Sequence, residues 1–198
     1  MQPSSFTHFS STYLTTLNGT FTPKVISQIE QLADAVLDVW LNGRHLFVCG
    51  NGGSAANAVH LSNDLFFGLG RCHIQPPIPG LRVTALPANS AILTCLGNDL
   101  SYDEIFASQL TNLASPNDLL LVLSGSGSSP NIIKAIHTSK QLGMRSSGII
   151  GFNGGSALSL LDLPVHFSTN DMQVCEDVQL ITAHMIMQWV SLRRSLLE

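Results

Sequence analysis

The stretch "LFVCGNGGSAANAVHLSNDL", residues 46–65, passes from an apolar run through a glycine cluster into a segment with helical spacing. An apolar run without in–out alternation reads as a strand buried on both faces. A glycine-rich turn from such a strand into a helix leaves free backbone N–H groups at a helix N-terminus, where an anion can be held. The helix then carries His60 and Asp64 four residues apart, on one face. The stretch therefore points to an anion site; on spacing alone the His–Asp pair behind it could ligate one ion, but such a pair is more often a surface hydrogen bond.

The same unit recurs outward from this stretch. Strands are predicted at 45–49, 82–86, 118–123, 147–151 and 163–167. Between them the spacing gives helices at 54–66, 89–96, 102–114 and 130–142, and a long helix from about 171. Ahead of the first strand, Phe6, Phe9, Tyr13 and Leu17 mark one helix, stopped by Asn18-Gly19. Thr22 is placed to cap a second helix, with Pro23 at its first position; Val25, Ile29, Leu32, Val36 and Trp40 form one face and Gly43 ends it. Alternating buried strands and helices give the expected fold class: α/β, doubly wound, a mostly five-stranded parallel sheet with helices on both faces. One domain is expected over 1–198, with helices for packing and oligomerisation at 1–43 and the α/β core with its C-terminal helix at 44–198. No internal repeat, low-complexity tract or linker divides it.

Composition narrows the function classes. Of the 198 residues 44% are hydrophobic and only 11% charged, against about a quarter charged in an average chain; burial of surface between subunits is one reading of that deficit. A net charge of −4 with nine scattered Lys and Arg argues against a nucleic-acid partner. No apolar run reaches a membrane span, and "MQPSSFTHFSSTYL" has neither the basic start nor the apolar core of a signal peptide. Cys49, Cys72, Cys95 and Cys175 lie far apart without CxxC spacing, and Cys49 and Cys95 read as small hydrophobes. A cytoplasmic protein is expected.

Two loops carry the candidate chemistry. Gly50-Asn51-Gly52-Gly53-Ser54-Ala55 formally fits a dinucleotide fingerprint, which needs an acidic residue roughly 20 positions on. No Asp or Glu stands between Leu65 and Asn98, leaving only an Arg-based variant on Arg71 or Arg82; no Gly-Lys-Ser/Thr follows, so a P-loop is excluded. The second loop, "LSGSGSSPNIIKAI", runs through Ser124, Ser126, Ser128 and Ser129 into a helix opening at Pro130, with Ser129 placed to cap it. Hydroxyl donors, free N–H groups and a helix dipole together suit a terminal phosphomonoester. The plain alternative is a flexible serine-rich turn.

Together "GNGGSAANAVH", "CLGNDLSYDEIF" and "SGSGSSPNIIKAI" resemble the sugar isomerase (SIS) domain family, within it the phosphoheptose isomerase branch, from about residue 23 to the C-terminus. The resemblance implies an aldose–ketose isomerase converting sedoheptulose 7-phosphate to a heptose 7-phosphate through an enediol, in heptose supply for a bacterial surface polysaccharide. It implies sugar contacts at Asn51, Gly52, Gly53, Ser54, Asn89 and Glu176, and a phosphate held at Ser124, Gly125, Ser126 and Ser129. It implies a divalent metal, zinc, on His60, Asp64, Glu176 and His184, with His184 as base and Asp64 as acid, in a homotetramer with intersubunit sites. Asp64 stands where the family has Glu, Glu176 where it has Gln, Asn89 and Gln173 where it has Asp, and Gly125 where it has Thr. The phosphate end is thus mostly intact and the sugar end altered. The rival reading is a non-catalytic SIS-fold sugar-phosphate sensor, such as a replication-initiator-associating protein.

The residues themselves raise one geometric difficulty. Eight positions on a straight helix separate Glu176 from His184 by about 12 Å and about 80°, so both reach one ion only by convergence, helix distortion or help from another subunit. His8, His45, His73, His137 and His166 are expected to be structural or exposed. Asn98 and Asp99 are expected to fix a loop, Met185, Met187 and Trp189 to lie in the core or an interface, and Glu104 to be a solvated helix position.

Overall fold

Five parallel strands run side by side in the order β2-β1-β3-β4-β5. They are β1 (His45–Gly50), β2 (Arg82–Ala85), β3 (Leu119–Ser124), β4 (Arg145–Ile150) and β5 (Leu163–His166). The chain steps outward from β1 to β2, then back past β1 to β3, so the direction of winding reverses between β1 and β3. Such a reversal opens a crevice at the carboxyl ends of the two strands. The computed structural model describes residues 5–70 and 77–195; Arg71, Cys72 and His73 lie outside them.

Two apolar layers cover the sheet. Leu46 and Val48 of β1 with Leu119, Leu121 and Leu123 of β3 pack against α2 (Pro23–Leu41), α3 (Gly53–Asn63) and α8 (Met172–Ser195). Phe47, Cys49, Leu120 and Val122 face the other way, against α5 (Ala107–Leu113) and α6 (Pro130–Gln141). Every residue of β3 is buried, which is why its sequence shows no alternation. In α2, Thr22 caps by accepting the Val25 N–H, Pro23 opens the helix, and Val25, Ile29, Leu32, Val36 and Trp40 are all buried, as their spacing requires. By contrast α1 (Phe6–Gly19) buries none of its residues. Among the described residues, no helix is long and apolar enough to cross a membrane.

The remaining elements are α4 (Ser90–Asp99), the single turn α7 (Ala157–Leu160) and 3-10 turns at Leu86–Ala88 and Tyr102–Glu104. Several boundaries differ from the sequence reading. The helix expected over 54–66 is α-helical only to Asn63 and widens into a π turn at Asp64–Gly68; there the Leu65 carbonyl accepts the Leu81 N–H across the chain at 3.1 Å. The helix expected over 102–114 is split, with Ile105 and Phe106 drawn into the core between its two pieces. Glu104 is not a free solvated position but pairs with Lys134. Asn98 and Asp99 end α4 and bond each other at 2.7 Å. Met187 packs against the core, while Met185 and Trp189 are exposed. Cys95 is exposed rather than packed as a small hydrophobe, its thiol donating toward Asp99, whereas Cys49 is buried and desolvation holds its thiol protonated.

Candidate active site

Both glycine–serine loops leave the crevice edge of the sheet, one after β1 and one after β3. Gly52 begins the α3 turn at φ 56°, ψ −124°, a conformation open to glycine and unfavourable for a residue with a Cβ. Asn51, Gly52, Gly53, Ser54, Ser124, Gly125, Ser126, Ser129 and Glu176 line one cavity of about 280 Å³ together with Leu123 and Met172. Asn89 lies outside it: its side chain caps α4 by accepting the Ile92 N–H at 3.1 Å.

The hydroxyls of the second loop are arranged to donate. Ser124 Oγ accepts the Gly127 N–H at 3.0 Å and Ser126 Oγ accepts the Ser128 N–H at 3.3 Å. Each oxygen accepts one backbone N–H through a lone pair, which leaves its O–H proton to donate to an acceptor in the cavity. Ser129 occupies the N-cap position of α6 but makes no capping bond, so its hydroxyl is not spent on the helix. The α6 dipole adds positive potential at the same place. Glu176 is the sole ionisable side chain in the lining, its carboxyl group seated against Gly53 so closely that a Cβ there would overlap it.

Side chains absent from the sequence reading fix these loops. Asn51 and Asn131 exchange amide hydrogen bonds at 2.9 and 2.8 Å, and the Tyr102 hydroxyl donates to Asn51 Oδ1 at 3.2 Å. Asn57 Nδ2 donates to the Glu176 carbonyl at 2.9 Å and to Gln179 Oε1 at 3.1 Å, tying α3 to α8. Asn57, Tyr102 and Asn131 all lie inside the quoted motifs, which was the available signal, but no local spacing assigned them a role. Gln173 is exposed, at the turn where the Asp171 carboxylate accepts the Gln173 and Val174 N–H groups.

Further along the α3–α8 seam, His60, Asp64 and His184 converge, with donor atoms all within 4.8 Å of one another. His60 Nε2 lies 3.0 Å from His184 Nε2, and each is 3.3 Å from Asp64 Oδ2. Zinc bonds of about 2.0–2.2 Å set tetrahedral edges of about 3.3 Å, and catalytic zinc sites use three protein donors with one open position. Two imidazoles and one carboxylate at these separations fit that requirement. Glu176 is not in this group; it belongs to the cavity, near Gly53, consistent with its distance along α8 from His184. His60 stands seven positions along α3 from Gly53, about 10 Å of helix.

The other described histidines serve elsewhere. His45 Nε2 meets Thr84 Oγ1 at 2.8 Å and its ring stacks on Phe47, with burial holding its pKa below the usual value. His166 Nε2 meets the Phe152 carbonyl at 3.0 Å, and His8 and His137 are exposed.

Comparison with known proteins shows the family and the fold. The SIS domain matches residues 12–151. Phosphoheptose isomerase of Synechocystis sp. is 36% identical, over 91% of this chain and 90% of its own length. That of Geotalea daltonii is 34% identical, over 90% and 88%. The solved structure of phosphoheptose isomerase from Neisseria gonorrhoeae superposes with a TM-score of 0.83, covering 93% of this chain and 95% of that one at 24% identity, and shares its fold. With relatives this similar over nearly their whole length, the chain belongs to the phosphoheptose isomerase family of SIS-domain proteins.

Proposed function

We propose that this chain is a phosphosugar aldose–ketose isomerase that converts sedoheptulose 7-phosphate to D-glycero-D-manno-heptose 7-phosphate. The observation that carries the reading is the placement of two sites on one helix pair: a hydroxyl-lined anion cavity at one end of the α3–α8 seam and the His60–Asp64–His184 triangle further along it. A long sugar held by its terminal phosphate presents its carbonyl end away from the phosphate, which this separation accommodates.

In this reading Ser124, Ser126 and Ser129 hold the phosphate, and Asn51, Ser54 and Glu176 take sugar hydroxyls. Ring opening leaves a carbonyl at C2. His184 removes a proton from C1 while Asp64 delivers one to the C2 oxygen, giving the enediol. Return of a proton to C2 and loss of the proton on the C1 oxygen complete the aldehyde. His60, Asp64 and His184 would hold a divalent ion, assigned as zinc; His184 and Asp64 would share it or leave it while they move protons, and its positive charge would stabilise the negative charge developing on the C2 oxygen as the C1 proton leaves.

The same reading takes the whole chain as one domain and places it in the cytoplasm as a homotetramer with intersubunit sites, in heptose supply for a surface polysaccharide. Exposed Trp189, Met185 and Leu192 on α8 support association; light scattering tests it.

The experiment is turnover of sedoheptulose 7-phosphate followed by NMR, with and without chelator. Expected is product that disappears on chelation and returns with zinc. No turnover, despite protection of the fold by the phosphosugar, would overturn the enzyme in favour of a sensor.

A further inference from the structure

A second cavity adjoins the first along the carboxyl edge of the sheet. It measures about 410 Å³ and is lined by Ser126, Ser128, Phe152, Asn153, Asn170 and Met172. Ser126 and Met172 belong to both cavities. Met172 opens α8, and its thioether lies over Gly125 at the apex of the serine loop. A Cβ placed on Gly125 would meet Met172 Sδ at 2.6 Å and Cε at 3.2 Å. The methionine therefore occupies the space that a side chain at 125 would otherwise take.

We infer that Met172 is a specificity-determining residue: its side chain walls the anion cavity from the second cavity and confines the site to phosphomonoesters. This rests on the anion reading proposed above. A phosphomonoester turns three terminal oxygens toward Ser124, Ser126 and Ser129 and needs no further room. A phosphodiester carries a second ester arm, which must leave the serine loop somewhere. The adjoining space beyond the loop is the second cavity, and Met172 stands at the boundary. None of that cavity's lining side chains is charged, so the arm it would take is a neutral, hydroxylated one. Thioether side chains are flexible and adaptable, but no smaller residue at 172 would keep the wall.

The test compares full-length wild type, Met172→Ala and Met172→Leu, with calorimetric titration of sedoheptulose 7-phosphate and of the diester glycerophosphoglycerol. Wild type is expected to bind the monoester and reject the diester. Met172→Ala is expected to shift the preference toward the diester by about tenfold or more, within the range that shape-based discrimination supplies. Met172→Leu, which keeps the bulk, is expected to preserve the wild-type preference. Retained monoester binding shows that each variant is folded. An unchanged preference in Met172→Ala, or equal binding of both ligands by wild type, overturns the wall. Failure of wild type to bind either sedoheptulose 7-phosphate or inorganic phosphate overturns the anion cavity itself, and the wall with it.

Discussion

Asn51 and Asn131 clasp each other's side-chain amides, Nδ2 to Oδ1, at 2.9 and 2.8 Å across the reversal point of the sheet. One belongs to the loop after β1 and the other to the first turn of α6, so the pair locks the two halves of the cavity in register. Asn131 is 1% exposed, and Asn51 Oδ1 also accepts from Tyr102. Asn51 thus meets the cavity with its amide orientation fixed. Asn131→Leu leaves that amide without its buried partner, at a cost of about 1–3 kcal/mol in stability. The expected kinetic result is a KM for the phosphosugar raised about tenfold with a smaller change in kcat, as befits lost binding. Urea unfolding and steady-state kinetics check both, and a variant with wild-type KM would remove Asn131 from the site.

Gly53 and Glu176 make a second contact, one that an added side chain would displace. A Cβ at position 53 would overlap the Glu176 carboxyl group, and Asn57 holds the Glu176 backbone in place at 2.9 Å. Gly53→Ala must therefore move the carboxylate rather than the helix. A loss of about 10–100-fold in kcat/KM is expected, of the order that misplacing a site group incurs. Because the damage passes through Glu176, Gly53→Ala combined with Glu176→Ala is expected to cost no more than Glu176→Ala alone. Additive losses in the two variants would show that Gly53 acts by another route.

Much of this arrangement was legible in the sequence because it is local. The apolar runs "HLFVC" and "DLLLVL" with their glycine–serine loops specify strand, turn and helix within twenty residues each, and His60 and Asp64 share a face by spacing alone. Parallel strands wound this way bring the two loops together at the carboxyl edge. What stayed hidden depends on packing between distant elements. Asn89 reads equally well as a ligand and as a helix cap, and only the geometry around Ile92 separates the two. The π turn after Asn63 depends on Leu81, and the Met172–Gly125 contact joins positions far apart in the chain. Glu176 could be set apart from His184 by helix geometry, but its seat against Gly53 could not be read.

Tyr13 offers a prediction in pH. Its hydroxyl donates to Asp177 Oδ2 at 2.6 Å, joining α1 to α8. That hydrogen bond, with lesser contributions from burial and nearby carboxylates, raises the phenol pKa from 10.0 to about 12. The folded state thus favours the protonated phenol. The stabilisation is fully present below pH 10 and is lost as pH rises from 10 toward 12, because the unfolded chain ionises first. Tyr13→Phe removes this dependence and loosens α1. Hydrogen exchange of α1 amides and the stability difference between wild type and Tyr13→Phe, measured from pH 8 to 12, should converge at the upper end. A difference that is flat with pH would sink the assignment.

Thr182 supplies a prediction in the opposite direction, toward greater stability. It is fully buried on α8, yet its Oγ1 has no hydrogen-bond partner among the described residues. A buried hydroxyl without a partner loses its bonds to water and recovers nothing in the fold. Valine has nearly the same shape and the same β-branching, so helix propensity and packing change little. Thr182→Val is therefore expected to stabilise the protein by about 1 kcal/mol. The gain should show as a higher urea midpoint at unchanged slope, with turnover of the phosphosugar unaltered. Threonine lies two residues before His184, so intact turnover also tests whether that helix turn keeps its position. A lower midpoint would mean that the hydroxyl is bonded in the folded protein after all.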